Sequence, residues 1–184
     1  MTMTDHKTRL LEIIKTTAYF REKIILSSGK ESDYYVDARL VTLTPEGVLL
    51  TASLMLDLIK EDEVDAIGGP TLGADPMIGA LGVISLQIGR PIPNFIIRKE
   101  PKGHGRGRMV EGPAIPEGSK VVIVDDVATT GKAFVHSLEV MKEMNVEVIK
   151  CIAIVDREEG AAAAVAAKGS ELVSIFKASE IHTK

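Results

Sequence analysis

Five short apolar runs, at residues 64–67, 94–98, 120–125, 147–156 and 172–176, alternate with stretches whose apolar residues recur at helical spacing. A run that is apolar without alternation is buried on both faces, as in a parallel sheet covered by helices. The helical stretches are 45–59, 75–88, 131–144 and 160–168. The first opens with Thr44 at the cap and Pro45 where its missing N–H costs nothing. This alternation predicts one doubly wound α/β domain. Residues 5–21 form a further helix, with Leu10, Leu11, Ile13, Ile14, Ala18 and Phe20 at apolar positions, and 34–36 a short strand. The first forty or so residues stand outside the alternation and are expected to form a small separate cap.

Composition narrows the function classes. A chain of 184 residues can bury a core, and with no Trp and 4% aromatics that core must be aliphatic. The net charge of −4 leaves no overall electrostatic footprint for duplex nucleic acid. A single cysteine, Cys151 within an apolar run, excludes an intrachain disulfide framework and a Cys-rich zinc site. No apolar stretch reaches bilayer-crossing length, and the start is polar, so the expectation is a soluble, cytoplasmic protein without a membrane partner.

The segment 121–133, VVIVDDVATTGKA, carries the densest chemical signal. Four β-branched residues run into Asp125 and Asp126, then a Thr129-Thr130-Gly131 turn opens a helix. Ligands of open α/β sheets bind beyond the carboxyl ends of the strands, where these residues fall. The leading N–H groups of a helix and its positive dipole end suit a phosphate, with both threonine hydroxyls and Lys132 as added donors. Carboxylates beside a phosphate would repel it unless they serve another purpose. Binding sugar hydroxyls, with a divalent cation nearby, is the sensible one. A pair of helix-capping aspartates is the plainer alternative. A P-loop is excluded, because Asp126 stands where the first glycine belongs and Ala133 replaces the Ser or Thr after lysine.

A second segment, 98–108, holds five Lys or Arg against one Glu; its net charge of +4 leaves −8 on the rest of the chain. Glycines punctuate it, as in a loop able to close over a polyanion. A solvated basic loop or a nucleic-acid contact competes with that reading, but no aromatic is interleaved.

VVIVDDVATTGKA resembles the phosphoribosyl-diphosphate motif of the type I phosphoribosyltransferases. The resemblance implies a parallel sheet flanked by helices, with a small N-terminal hood, in one domain over residues 1–184 (about 1–40 forming the hood). It implies that Asp125 and Asp126 hold ribose hydroxyls while Val127, Ala128, Thr129, Thr130, Gly131, Lys132 and Ala133 wrap the 5′-phosphate. The spacing R-K-x-x-K-x-H-G at 98–105 is similar to the catalytic loop of orotate phosphoribosyltransferases in particular. It implies that Arg98, Lys99, Lys102 and His104 contact the diphosphate, Lys102 assisting the leaving group, with the 98–108 loop shared across a homodimer.

Three further segments resemble the same family. Residues 28–39, SGKESDYYVDAR, look like the orotate-side segment, where Tyr34 or Tyr35 would wall a planar base; strand neighbours face opposite ways, so one of them stacks. Residues 68–75, GGPTLGAD, match the short diphosphate-contacting loop, and Arg157 matches the arginine that pairs with the orotate carboxylate, alongside Thr129. Two positions depart from the pattern: Ser27 and Gly73 stand where some relatives carry lysine. The implied reaction joins orotate to 5-phospho-α-D-ribose 1-diphosphate (PRPP) through an oxocarbenium-like transition state, without a covalent enzyme intermediate. Mg²⁺ would be bound mainly through substrate, with Asp125 and Asp126 nearby. Competing readings are a phosphoribosyltransferase for a purine and a non-catalytic sensor of the ribosyl diphosphate.

Overall fold

The computed structural model describes residues 2–25, 31–101 and 108–182. In chain order the elements are α1 (Met3–Ile13), β1 (Tyr19–Phe20), β2 (Ile24–Ile25), β3 (Glu31–Ser32), β4 (Tyr35–Val36), α2 (Arg39–Thr42) and α3 (Pro45–Leu58). They continue as β5 (Ala66–Pro70), α4 (Asp75–Gln87), β6 (Asn94–Ile97), β7 (Val110–Glu111), β8 (Lys120–Ala128) and α5 (Lys132–Glu143). The last are β9 (Glu147–Asp156), α6 (Ala161–Ala166), β10 (Leu172–Lys177) and α7 (Ala178–Ile181).

The central sheet runs β10-β9-β8-β5-β6-β7. Its first five members are mutually parallel, as the apolar runs require. Beyond them β7 pairs antiparallel to β6, Ile97 opposite Val110. This edge strand, just beyond the basic segment 98–108, is a sixth member where the apolar runs predict five. Two residues, Val110 and Glu111, give too short a pattern to identify locally; only β6 beside them makes them a strand.

Strand β8 supplies both faces of the core. Val122 and Val124 pack with α3 and α4 residues such as Met55, Met77 and Leu81. Val121 and Ile123 point the other way, to Phe134, Leu138 and Met141 of α5. This is the period-two division of a strand covered on both sides. The strand also outruns its apolar stretch: pairing with β9 continues through Asp125, Val127 and Ala128. A ladder partner, not local hydropathy, decides where β8 ends.

The N-terminal region lies outside the β–α alternation, as expected, but it is not packed as a separate cap. Leu10 and Ile14 are fully buried and share one core with Val122, Ile152 and Phe176. The expected helix over 5–21 stops early. Its α-helical part ends at Ile13, a π-helical turn takes Ile14–Ala18, and β1 then pairs with β4. Helix α3 starts as its sequence dictates, with the Thr44 hydroxyl accepting the Gly47 N–H at 3.1 Å.

Strand order reverses between β5 and β8: β6 follows β5 on one side, while β9 and β10 follow β8 on the other. The crevice at such a switch point is where an open α/β sheet binds ligands.

Candidate active site

The chain beyond β8 turns at Gly131, whose φ of 81° is a conformation other residues adopt only with strain. Helix α5 begins at the next residue, and no side chain caps it. Its leading N–H groups therefore remain for a ligand oxygen. A small hollow of about 170 Å³ is lined here by Asp125, Thr129, Thr130, Gly131, Lys132 and Ala133, with Val127, Ala128 and Phe134 completing its wall. Its volume and donors fit a single phosphate group. Ala133 leaves the backbone donors in place while contributing no hydroxyl of its own.

Next to it opens a cleft of about 680 Å³. Residues 35–39 wall one side, the β5 loop at 70–73 another, and Lys99, Asp125, Asp126, Lys132, His136 and Arg157 complete it. Five chain segments far apart in sequence thus meet at the switch point.

The two adjacent carboxylates are the electrostatic centre. Asp125 is only 7% exposed, and its Oδ1 accepts the Asp126 N–H at 2.9 Å. Burial, then the neighbouring Asp126 charge, pushes the Asp125 carboxyl well above the usual carboxylate range. Asp126 is also raised by burial, opposed by the Val127 N–H that its Oδ1 accepts at 2.7 Å and by the charge of Arg39. Buried anions raised in this way gain from hydroxyl donors or a cation. Hard carboxylate oxygens suit Mg²⁺, which keeps water and substrate phosphates among its ligands. Among the described residues no group of three or more His, Cys, Asp or Glu is placed to cage a metal. Asp125 and Asp126 are the described carboxylates that could stand beside an ion brought in with a phosphate ligand.

The basic segment divides. Lys99 lines the cleft. Arg98 turns to Glu111 of β7, Nη1 to Oε1 at 3.3 Å, and its backbone N–H donates to the Met109 carbonyl at 2.8 Å. His136 of α5 donates from Nε2 to the Arg98 carbonyl at 3.2 Å, tying the root of the segment to the helix that forms the phosphate hollow. Lys102 and His104 lie outside the described residues, as does Ser27.

On the hood side Tyr35 lines the cleft, and Tyr34 lies behind Arg157, which lines it too. The Tyr34 ring stacks on Tyr19 with centroids 5.8 Å apart, and the Arg157 guanidinium carbon lies 4.4 Å from its centre. Thr129 and Arg157 both reach the cleft.

Sequence reasoning did not single out Arg39, Asp37 and His136. Arg39 lines the cleft and is paired with Asp37, Nε to Oδ1 at 2.9 Å and Nη2 to Oδ2 at 3.1 Å. Its one local signal is its place in the segment 28–39; a lone arginine after a strand is otherwise a surface residue. His136 has no signal at all, because its role depends on a carbonyl 38 residues away.

Comparison with known proteins identifies the family. A family model described as the phosphoribosyl transferase domain matches residues 45–178. The orotate phosphoribosyltransferase of Aquifex aeolicus is 46% identical over 156 residues, 85% of each chain. That of Rhodopseudomonas palustris strain TIE-1 is 40% identical over 183 residues, 98% of each chain. The crystal structure of Mycobacterium tuberculosis orotate phosphoribosyltransferase in complex with PRPP superposes with a TM-score of 0.79 at 32% identity, covering 96% of this chain and 98% of that one. The chain belongs to the phosphoribosyl transferase family, and within it to the orotate phosphoribosyltransferases.

Proposed function

We propose that this chain transfers the 5-phosphoribosyl group of PRPP to orotate, giving orotidine 5′-phosphate and diphosphate, in de novo pyrimidine synthesis. The observation that carries the reading is the convergence, at one switch point, of a phosphate hollow, a buried carboxylate pair and Arg157. In this reading the hollow from Val127 to Ala133 holds the 5′-phosphate, and Asp125 and Asp126 hold the ribose hydroxyls. Arg157 and Thr129 orient orotate, with Tyr35 alongside its ring. Mg²⁺, bound with the donor, supplies positive charge against the diphosphate oxygens. Lys99 acts on the same charge, joined by Arg98 once it leaves Glu111, and by Lys102 and His104. Catalysis is then orientation plus electrostatic stabilisation of the departing diphosphate.

The chain would act as a cytoplasmic homodimer, residues 1–184 forming one domain and the 98–108 segment serving the partner's site. Among the described residues no helix is long and apolar enough to cross a membrane. In this reading the partners are the small-molecule substrates, with neither membrane nor nucleic acid.

The test is incubation with PRPP, Mg²⁺ and either orotate or a purine base, following base consumption. Orotate is expected to be consumed and purines left. Consumption of a purine alone would overturn the base assignment. Ligand binding without turnover of any base would make the protein a sensor.

A further inference from the structure

The segment after β9 turns two neighbouring glutamates to different tasks. Glu158 and Gly160 both have positive φ, 59° and 107°. Between these reversals Glu159 points inward, while Glu158 accepts the Ser179 N–H from α7 at 3.0 Å. Glu159 Oε1 receives the Arg157 Nε–H at 2.9 Å, and the Arg157 side chain is only 3% exposed. Ser32 accepts from Arg157 Nη2 at 2.8 Å, and is itself fixed by donating to the Tyr34 carbonyl at 2.8 Å. The ring of Tyr34 closes one face of the guanidinium.

A guanidinium can meet a carboxylate along its Nε–Nη edge or along the edge between its two Nη atoms. Here Glu159 takes the Nε donor and Ser32 one of the two Nη2 hydrogens, which leaves Nη1 and the second Nη2 hydrogen for a ligand in the cleft that Arg157 lines. We propose that Glu159 is a positioning residue for base recognition: by holding the Nε side of Arg157, it presents the far edge to the carboxylate of the acceptor base. This rests on the reading of Arg157 as the partner of orotate. Glu159 is a costly choice for filling space, since its other oxygen, Oε2, is buried with no hydrogen-bond partner among the described residues. Its negative charge also works against an anionic base. Orientation and repulsion therefore predict opposite signs for its removal.

Steady-state kinetics on the folded enzyme decide between them. Glu159→Ala should raise KM for orotate about tenfold, a typical cost for one oriented charge-assisted contact, with KM for PRPP changing less than twofold. Glu159→Asp keeps the charge but withdraws it from Nε, and should behave like Glu159→Ala. Glu159→Gln keeps an acceptor in reach and should recover most of the orotate affinity. An orotate KM that is unchanged or lower in both Glu159→Ala and Glu159→Asp would overturn the proposal, as would an equal rise in both KM values. Arg157→Lys serves as the control. If it leaves KM for orotate untouched, the assignment of Arg157 itself has failed. If it raises that KM while Glu159→Ala and Glu159→Asp do not, only the positioning role has failed.

Discussion

The Asp126 carboxylate lies so close to the backbone of Gly73 that a Cβ at residue 73 would sit 2.8 Å from its carboxyl carbon. The short loop after β5 and the acidic end of β8 are thus packed against each other through a missing side chain. Position 73 has room for a side chain here only if the Asp126 carboxylate moves.

Gly73→Ala should therefore damage function more than folding. The methyl group displaces a carboxylate rather than backbone, so the loss of stability should stay within about 1 kcal/mol. If Asp126 holds the ribose as proposed, an ångström of misplacement should lower kcat/KM for PRPP by about tenfold to a hundredfold. Thermal unfolding together with kinetics checks both halves. A variant with wild-type kinetics would show that Asp126 does not bind donor.

Asp125→Asn should separate stability from activity. Burial beside Asp126 raises the folded-state pKa of Asp125. The favourable contribution of its protonated form is therefore full below the unfolded carboxylate pKa, and is lost as pH rises through the folded value. Asparagine removes that loss and still accepts the Asp126 N–H. The variant should melt at least about 2 °C above wild type at pH 8, by a margin that shrinks toward pH 4. Its turnover should fall on the order of a hundredfold. A melting difference independent of pH would contradict the shift.

Lys102→Ala should lower turnover by about a hundredfold or more with little change in melting temperature, if Lys102 stabilises the leaving diphosphate. If the proposed dimer shares the segment between sites, mixing this variant with Asp125→Ala should restore part of the activity, because each hybrid dimer would keep one intact centre. No recovery after verified subunit exchange would confine each site to one chain.

Cys151 should resist thiol reagents in the folded protein. It is fully buried on β9, and burial pushes its thiol up to about 12. The thiolate that reacts is therefore scarce at pH 8 as well as inaccessible. Ellman's reagent should titrate no thiol in the native state and one per chain after denaturation. Rapid native labelling would mean that β9 opens far more readily than its packing implies.

What could be read along the chain, and what could not, follows from the range of the forces involved. The β-branched run entering Asp125, the Thr44–Pro45 start of α3 and the turn into α5 are local. Each states its structure within a few residues, through strand propensity, capping and the need for a glycine at φ 81°. Composition likewise pointed to a core mostly of aliphatic residues, although Phe95, Phe134 and Phe176 are fully buried in it, and the apolar run around Cys151 pointed to a buried thiol. Pairing across distance was not legible. Strand β8 runs on to Ala128 because β9 continues beside it, and β7 exists because β6 lies next to it. The hood joins the main core because Leu10 and Ile14 reach residues more than a hundred positions away. Arg39 and His136 entered the site only through partners in other elements.

The sequence by itself therefore determined the kinds of elements, the glycine turn into α5 and the chemical character of the residues around it. Only the tertiary structure decided which edge of Arg157 remains for a ligand. Its partner Ser32 lies 125 residues earlier in the chain, and Glu159 is turned inward by a reversal of the backbone. A side chain's chemistry is local, whereas its orientation is set by whichever distant groups the fold brings within hydrogen-bonding reach.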